Sequence, residues 1–107
     1  IIFDGIVFND RFPCSDVISE VAFMAMDLDF YGYTELSNVF VKEYQDLSND
    51  FEIIYLLDFY KCYRAYIRGK IACFTFGNIE ITDSEKFLEK EKARKYFSLA
   101  RTYAEML

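Results

Sequence analysis

The sequence predicts a mainly α-helical chain: a short N-terminal β-strand or hairpin followed by about four helices. Three observations predict it. Apolar residues after Pro13 recur at helical spacing, helix-stopping signals divide the rest at Gly32, at Ser48-Asn49-Asp50 and at Gly77-Asn78, and Ile, Val and Phe gather in residues 2–8. At 107 residues the chain is long enough for one domain or subdomain and can bury roughly two thirds of its unfolded surface. We therefore treat residues 1–107 as a single unit, with a strand or hairpin over 1–12 and a helical part over 13–107.

Residues 2–8 suit a strand, or a hairpin that turns at Asp4-Gly5. Pro13 ends extended structure, and Ser15 or Asp16 caps a first helix to about Phe30, with Val17, Val21, Met24, Ala25 and Leu28 at helical spacing. Gly32 stops it. Thr34 is expected to cap a second helix to about Leu47, with Leu36, Val39, Phe40 and Tyr44 on one side. The third helix, over about 52–74, is apolar around most of its circumference, which predicts a central, largely buried rod. Gly77-Asn78 makes a turn and residues 79–81 are expected to be extended. Thr82 with Glu85 forms a capping box for the last helix, which sets Phe87, Leu88, Tyr96, Phe97, Leu99, Ala100, Tyr103, Ala104 and Leu107 against a face of Lys and Glu. No tandem repeat or flexible linker interrupts this order.

Composition narrows the function classes. Over half the residues are apolar and a fifth are aromatic, with twelve Phe, nine Tyr and no Trp, so the chain is globular. Twelve Lys and Arg against eighteen Asp and Glu give a net charge of −6, which argues against nucleic acid or an anionic membrane as the general partner. The absence of His removes the commonest general base and the commonest metal ligand, and with them Ser-His and Cys-His arrangements. Cys14, Cys62 and Cys73 are widely spaced and read as reduced thiols of a cytoplasmic protein; Cys14, beside Ser15 and Asp16, lacks a base to activate it. No apolar run reaches the ~20 residues of a membrane span.

Four constellations could carry chemistry. Asp4 sits inside an apolar stretch, where an ionised carboxylate needs a cation, a metal or several donors; it is either a turn Asp bonded to backbone N–H groups or a metal ligand. At about 100° per residue, Lys61, Arg64 and Arg68 fall within about 60° on the third helix, and Asp16, Glu20 and Asp27 within about 40° on the first. Pairing of the two stripes across a helix interface is the expectation. The alternative turns the basic stripe toward a cleft, where it would hold a phosphate or carboxylate on the substrate side. Tyr60, Tyr63 and Tyr66 read as core packing with hydroxyls reaching polar edges rather than as a stacking platform for bases. Helix geometry keeps Asp27 and Asp29 from clasping one ion, so that pair reads as a solvated helix end.

Beyond these readings, the stretch Ile2-Phe3-Asp4-Gly5-Ile6-Val7-Phe8-Asn9-Asp10-Arg11-Phe12, then Asp16-Val17 and Ala22-Phe23-Met24-Ala25-Met26-Asp27-Leu28-Asp29, resembles the aminoglycoside phosphotransferase-like kinases. The closer likeness is to a bacterial and archaeal branch of unknown substrate, in some members fused to a P-loop ATP-binding domain. Its later signature resembles Asp58-Phe59-Tyr60-Lys61-Cys62-Tyr63-Arg64-Ala65-Tyr66-Ile67-Arg68-Gly69-Lys70, and Ala93, Tyr96-Phe97 and Leu99-Ala100 fit its final helix. The resemblance implies the C-terminal helical subdomain of a protein-kinase-like fold, from an enzyme that uses ATP and Mg to phosphorylate the hydroxyl of a small-molecule acceptor.

It also implies that Asp4 is the Mg-binding Asp after the catalytic loop and that Asp16 braces that loop through its backbone, a structural role. A carboxylate beside a Gly that lets a phosphate approach suits Mg bridging ATP phosphates. The phosphate-covering loop, its Lys and the catalytic-loop Asp and Asn have no counterpart in residues 1–107, so no catalytic residue is assigned and the chain alone is expected to be inactive, without tightly held Mg or ATP. Val7 stands where the family has an acidic residue and Pro13 where it has a basic one. A basic stripe facing the cleft would favour a neutral or anionic acceptor over a polycation. Two rivals are a noncatalytic helical interaction module, suggested by the small-large rhythm of residues 93–104, and a degenerate kinase-like scaffold. An apolar strand and helix without their other lobe would expose a patch that favours a homodimer.

Overall fold

The computed structural model describes residues 14–107 and the backbone of residues 2–3 and 6–7, with side chains from Val17 onward. Asp4, Gly5 and Pro13, and the side chains of Val7, Cys14 and Asp16, lie outside the described residues. The backbone forms two-residue strands β1 (Ile2–Phe3) and β2 (Ile6–Val7), paired antiparallel with Ile2 opposite Val7 and Phe3 opposite Ile6. Four helices follow: α1 (Cys14–Phe30), α2 (Thr34–Ser48), α3 (Ile53–Phe76) and α4 (Asp83–Glu105).

Local signals set most of the boundaries. Gly32 takes φ +86°, and the Gly32 and Tyr33 N–H groups donate to the Asp29 and Leu28 carbonyls at 3.0 and 2.8 Å, a closure of α1 that needs the left-handed conformation glycine adopts without strain. Asn49, also left-handed, ends α2. Thr82 accepts from the Glu85 N–H at 3.2 Å and starts α4 as expected. Thr34 does not cap α2: Tyr33 holds that position without a side-chain bond, and Thr34 is the first helical residue. Residues 79–81 form a turn and bend instead of an extended segment, because the Asn78 side chain accepts from the Glu80 N–H at 2.9 Å and folds the chain back on itself.

The core lies on both sides of α1. Toward α2 and the start of α3, Val17, Ile18 and Val21 pack with Tyr44 and Ile53; toward α3 and α4, Met26 and Phe30 pack with Ala65, Tyr96, Ala100 and Tyr103. Ser37 on α2 is buried and donates from Oγ to the Ala25 carbonyl at 3.0 Å. α3 and α4 pack more extensively than any other pair. Small inward residues make this contact close: Ala65, Gly69 and Ala72 on α3, and Ala93 and Ala100 on α4, are all buried. At Gly69 a Cβ would stand 2.7 Å from the Phe97 ring, so only glycine admits that ring.

α3 is not the buried central rod that its composition predicts. Ile54, Tyr55, Phe59, Tyr63, Tyr66 and Phe74 are exposed, and α1 occupies the centre. The layer is thin, with extents of 47 × 28 × 21 Å and a radius of gyration of 15.4 Å, against about 13 Å for a compact chain of this length. A thin layer offers too little interior to cover an all-round apolar helix. For the same reason Tyr63 and Tyr66 are half-exposed rather than core, Leu36 and Val39 face outward on α2, and Phe87, Leu88 and Leu107 are exposed on α4.

Candidate functional site: the charged seam of α1, α3 and α4

Helix α3 carries three of its cations, Lys61, Arg64 and Arg68, to the seam with α1 and α4, where each meets an internal partner. Lys61 Nζ lies 2.7 Å from Asp29 Oδ2, with both side chains at least nine-tenths buried. The Tyr103 hydroxyl donates to the same Asp29 oxygen, and the Tyr103 ring stands under the ammonium at 4.6 Å. Burial, and secondarily the bond to Asp29, pushes the Tyr103 hydroxyl far above its ordinary range, so it stays a donor at every relevant pH.

Arg64 donates from Nε to Ser19 Oγ at 3.1 Å and pairs with Glu20 at 3.5 Å while lying over the Phe23 ring. Arg68 donates from Nε and one terminal NH2 group to the Tyr96 hydroxyl at 3.4 and 3.3 Å, and lies over the rings of Phe23 and Tyr96. The bond to Tyr96 raises the Arg68 pKa further. Tyr96, pushed up chiefly by burial, stacks on Phe30 at 3.9 Å, and Lys95 covers the Phe30 ring at 4.4 Å.

The stripe-to-stripe pairing thus takes a mixed form. Glu20 meets Arg64 as expected, and Asp27 feels Arg68, but Lys61 takes Asp29. The solvated helix end expected at Asp27 and Asp29 is corrected: Asp29 is a buried ion-pair partner, because the last turn of α1 passes under both α3 and α4. Burial holds the Asp27 carboxyl above the usual carboxylate value, with Arg68 opposing. Asp27 Oδ1 and Asp29 Oδ1 are buried without a hydrogen-bond partner among the described residues. Chemically, the seam is an internal network in which carboxylate, hydroxyl, phenol and ring partners engage the three cations, with Lys61–Asp29 at its buried centre and Arg64–Glu20 at its partly exposed edge.

Sequence reasoning missed Asp29, Tyr96 and Tyr103 as members of this network, although two signals were present. Asp29 follows Ile18, Ala22 and Ala25 by eleven, seven and four residues, which places it on the buried face of α1. Lys61 likewise shares a stripe with Ala65, Gly69 and Ala72, the small residues of the close α3–α4 contact. A charge on an interface stripe demands an opposite charge facing it.

The carboxylates of Asp4 and Asp16 lie outside the described residues, although the backbone of Asp16 falls in the first turn of α1. Among those residues no group of three or more His, Cys, Asp or Glu side chains could hold a metal, and no helix is long and apolar enough to cross a membrane. Cys62 and Cys73 are free thiols, Cys73 exposed.

No protein-family model and no solved structure matches the chain. It is similar to uncharacterised proteins of Mycobacterium tuberculosis and Mycobacterium bovis, each 39% identical over 74 residues that make up 69% of this chain. The chain spans about 15% of the length of these curated relatives.

Proposed function

We propose that the chain is the helical, acceptor-side subdomain of an ATP-dependent phosphotransferase of the aminoglycoside phosphotransferase-like kind, acting in the cytoplasm on the hydroxyl of a small molecule. One observation carries the reading: an Asp-Gly step in an apolar stretch, Asp4-Gly5, placed just ahead of α1, the helix around which both core clusters pack. An ionised carboxylate in an apolar stretch needs a cation, a metal or several donors, and the Gly beside it lets a phosphate approach. The similarity to a small part of much longer proteins supports a subdomain rather than a self-sufficient enzyme.

In this reading Asp4 is the residue that would hold Mg, and Mg would supply charge neutralisation on the ATP phosphates. Asp16, at the start of α1, positions the preceding loop by accepting backbone N–H groups. In this reading Lys61, Arg64 and Arg68 brace the subdomain through their contacts with α1 and α4, and acceptor contacts fall to other residues.

The test is a polypeptide extended upstream of Ile1 to include the segments that would supply the phosphate-covering loop, its Lys and the catalytic loop. It should bind ATP in a Mg-dependent manner and transfer phosphate, and Asp4→Asn should abolish both, while residues 1–107 alone transfer none. Mg-dependent nucleotide binding left intact by Asp4→Asn would overturn the assignment. The exposed aromatic face of α3 favours a second reading, a noncatalytic helical interaction module. That reading predicts partner binding with no nucleotide dependence in the extended polypeptide.

A further inference from the structure

The outer seam between α3 and α4 is a groove with an aromatic wall and a basic edge. Near the end of α4, Phe59, Tyr63 and Tyr66 rise beside the small residues Ala100 and Ala104 around a space of about 410 Å3. The rings of Tyr66 and Phe97, 5.8 Å apart, connect it to a second space of about 250 Å3 floored by Phe76, Ala93 and Phe97. Lys90, Arg94 and Arg101 run along the α4 side of the two spaces, and exposed Lys70 follows Tyr66 by one turn on α3. Glu91 lies 4.0 Å from Arg94 and Glu105 lies 3.3 Å from Arg101, both at exposed positions where such pairs exchange readily with another carboxylate. In a chain of net charge −6 this is a local excess of positive charge.

The opposite character appears on α2. Leu36, Val39 and Leu47 are 53, 55 and 66% exposed, within about 80° of one another around the helix, and Glu35, Glu43 and exposed Asp46 share or border that face. Asp46 also pairs with Lys42 at 3.4 Å, again on the surface. The inner face of α2 is committed to Ser37 and Tyr44, and this outer stripe is left exposed, with no core partner among the described residues. The 15 residues of α2 span about 22 Å, and the groove from Phe59 to Phe76 runs about 26 Å along α3. Length, apolar character and charge all match.

We propose that α2 of one copy of this chain docks its acidic-apolar face in the α3–α4 groove of a second copy, a helix-in-groove contact between two different surfaces of the same molecule. Ala100 and Ala104 let a helix approach closely at the first space, the groove's rings cover Leu36, Val39 and Leu47, and its Lys and Arg edge meets Glu35, Glu43 and Asp46. The inference stands apart from phosphoryl transfer and holds or fails without it.

Sedimentation velocity on residues 1–107 tests it. The chain should self-associate at about 100 μM, and less strongly at high salt, where the charge component is screened. Two double variants break one surface each: Leu36→Glu with Val39→Glu on α2, and Tyr63→Glu with Tyr66→Glu in the groove. All four positions are exposed, and unchanged circular dichroism and melting temperature establish that both variants fold. Each variant alone should weaken self-association at least tenfold. An equimolar mixture should form a 1:1 heterodimer that neither forms alone, because one intact α2 and one intact groove remain. A monomeric native chain overturns the proposal. So does an α2 variant that associates like the native chain, which would mean pairing of α3 faces, and so does a mixture that stays monomeric.

Discussion

Helices α1 and α3 are both rich in apolar residues, yet the fold uses them in opposite ways. α1 is buried on two sides: Val17, Ile18 and Val21 serve one cluster and Met26 and Phe30 the other, so it is the spine of the molecule. α3 buries only a stripe of small residues with Ile53 and Lys61, and turns Tyr55, Phe59, Tyr63 and Tyr66 to the outside. Apolar content alone therefore does not locate a helix in the interior. The residue volumes on each face do, because small residues permit a close helix contact while large ones on the far side need a further layer to cover them.

The sharpest way to break α1's role is at its charged end. Asp29→Ala should cost about 3–5 kcal/mol in urea denaturation, since it leaves the Lys61 ammonium buried without a counter-charge. Replacing both partners, Asp29→Leu with Lys61→Met, should recover most of that loss. Next, Ile18→Ala in the fully buried part of α1 should cost about 2–5 kcal/mol. Gly69→Val probes the α3–α4 contact: its added side chain meets the Phe97 ring, with an expected loss of about 1–3 kcal/mol by thermal melting.

Asp27→Asn acts through pH. Because burial raises the folded-state pKa of Asp27 above its unfolded value, the folded chain binds the proton more tightly than the unfolded one. The resulting stability is present below the unfolded pKa of 3.8 and is lost as pH rises through the folded value. Asp27→Asn should therefore raise the melting temperature at neutral pH relative to the native chain and show less of that advantage in acid. The smallest effect belongs to α3's outer face, where Ile54→Ala should change stability by no more than about 0.5 kcal/mol. A loss as large as that of Ile18→Ala would erase the distinction between the two helices.

Much of this was legible in the residues. Gly32, Asn49 and Thr82 end or begin helices through their own backbone preferences or side-chain bonds, which act locally and need no tertiary partner. The apolar spacing of α1 located its buried face for Val17, Val21 and Ala25, while Met24, on the edge of that arc, is partly exposed. Asp29 was misjudged because a carboxylate at a helix end is ordinarily solvated, and only the arrival of Lys61 and Tyr103 from two other helices makes its burial tolerable. Asp4, by contrast, lies outside the described residues, so the fold says nothing of the role expected for its carboxylate.

By itself, then, the sequence determined where the chain turns helical and where it stops, since those outcomes depend on capping bonds, on φ preferences and on a period of 3.6 residues. It also determined that Lys61, Arg64 and Arg68 would share one face. The tertiary structure alone decided which carboxylate, phenol or ring each cation meets, which of two apolar helices becomes the spine, and which aromatic face is left open. Those outcomes depend on how helices of unequal girth stack in a thin layer, and that is a property of the whole assembly of faces that no single segment encodes.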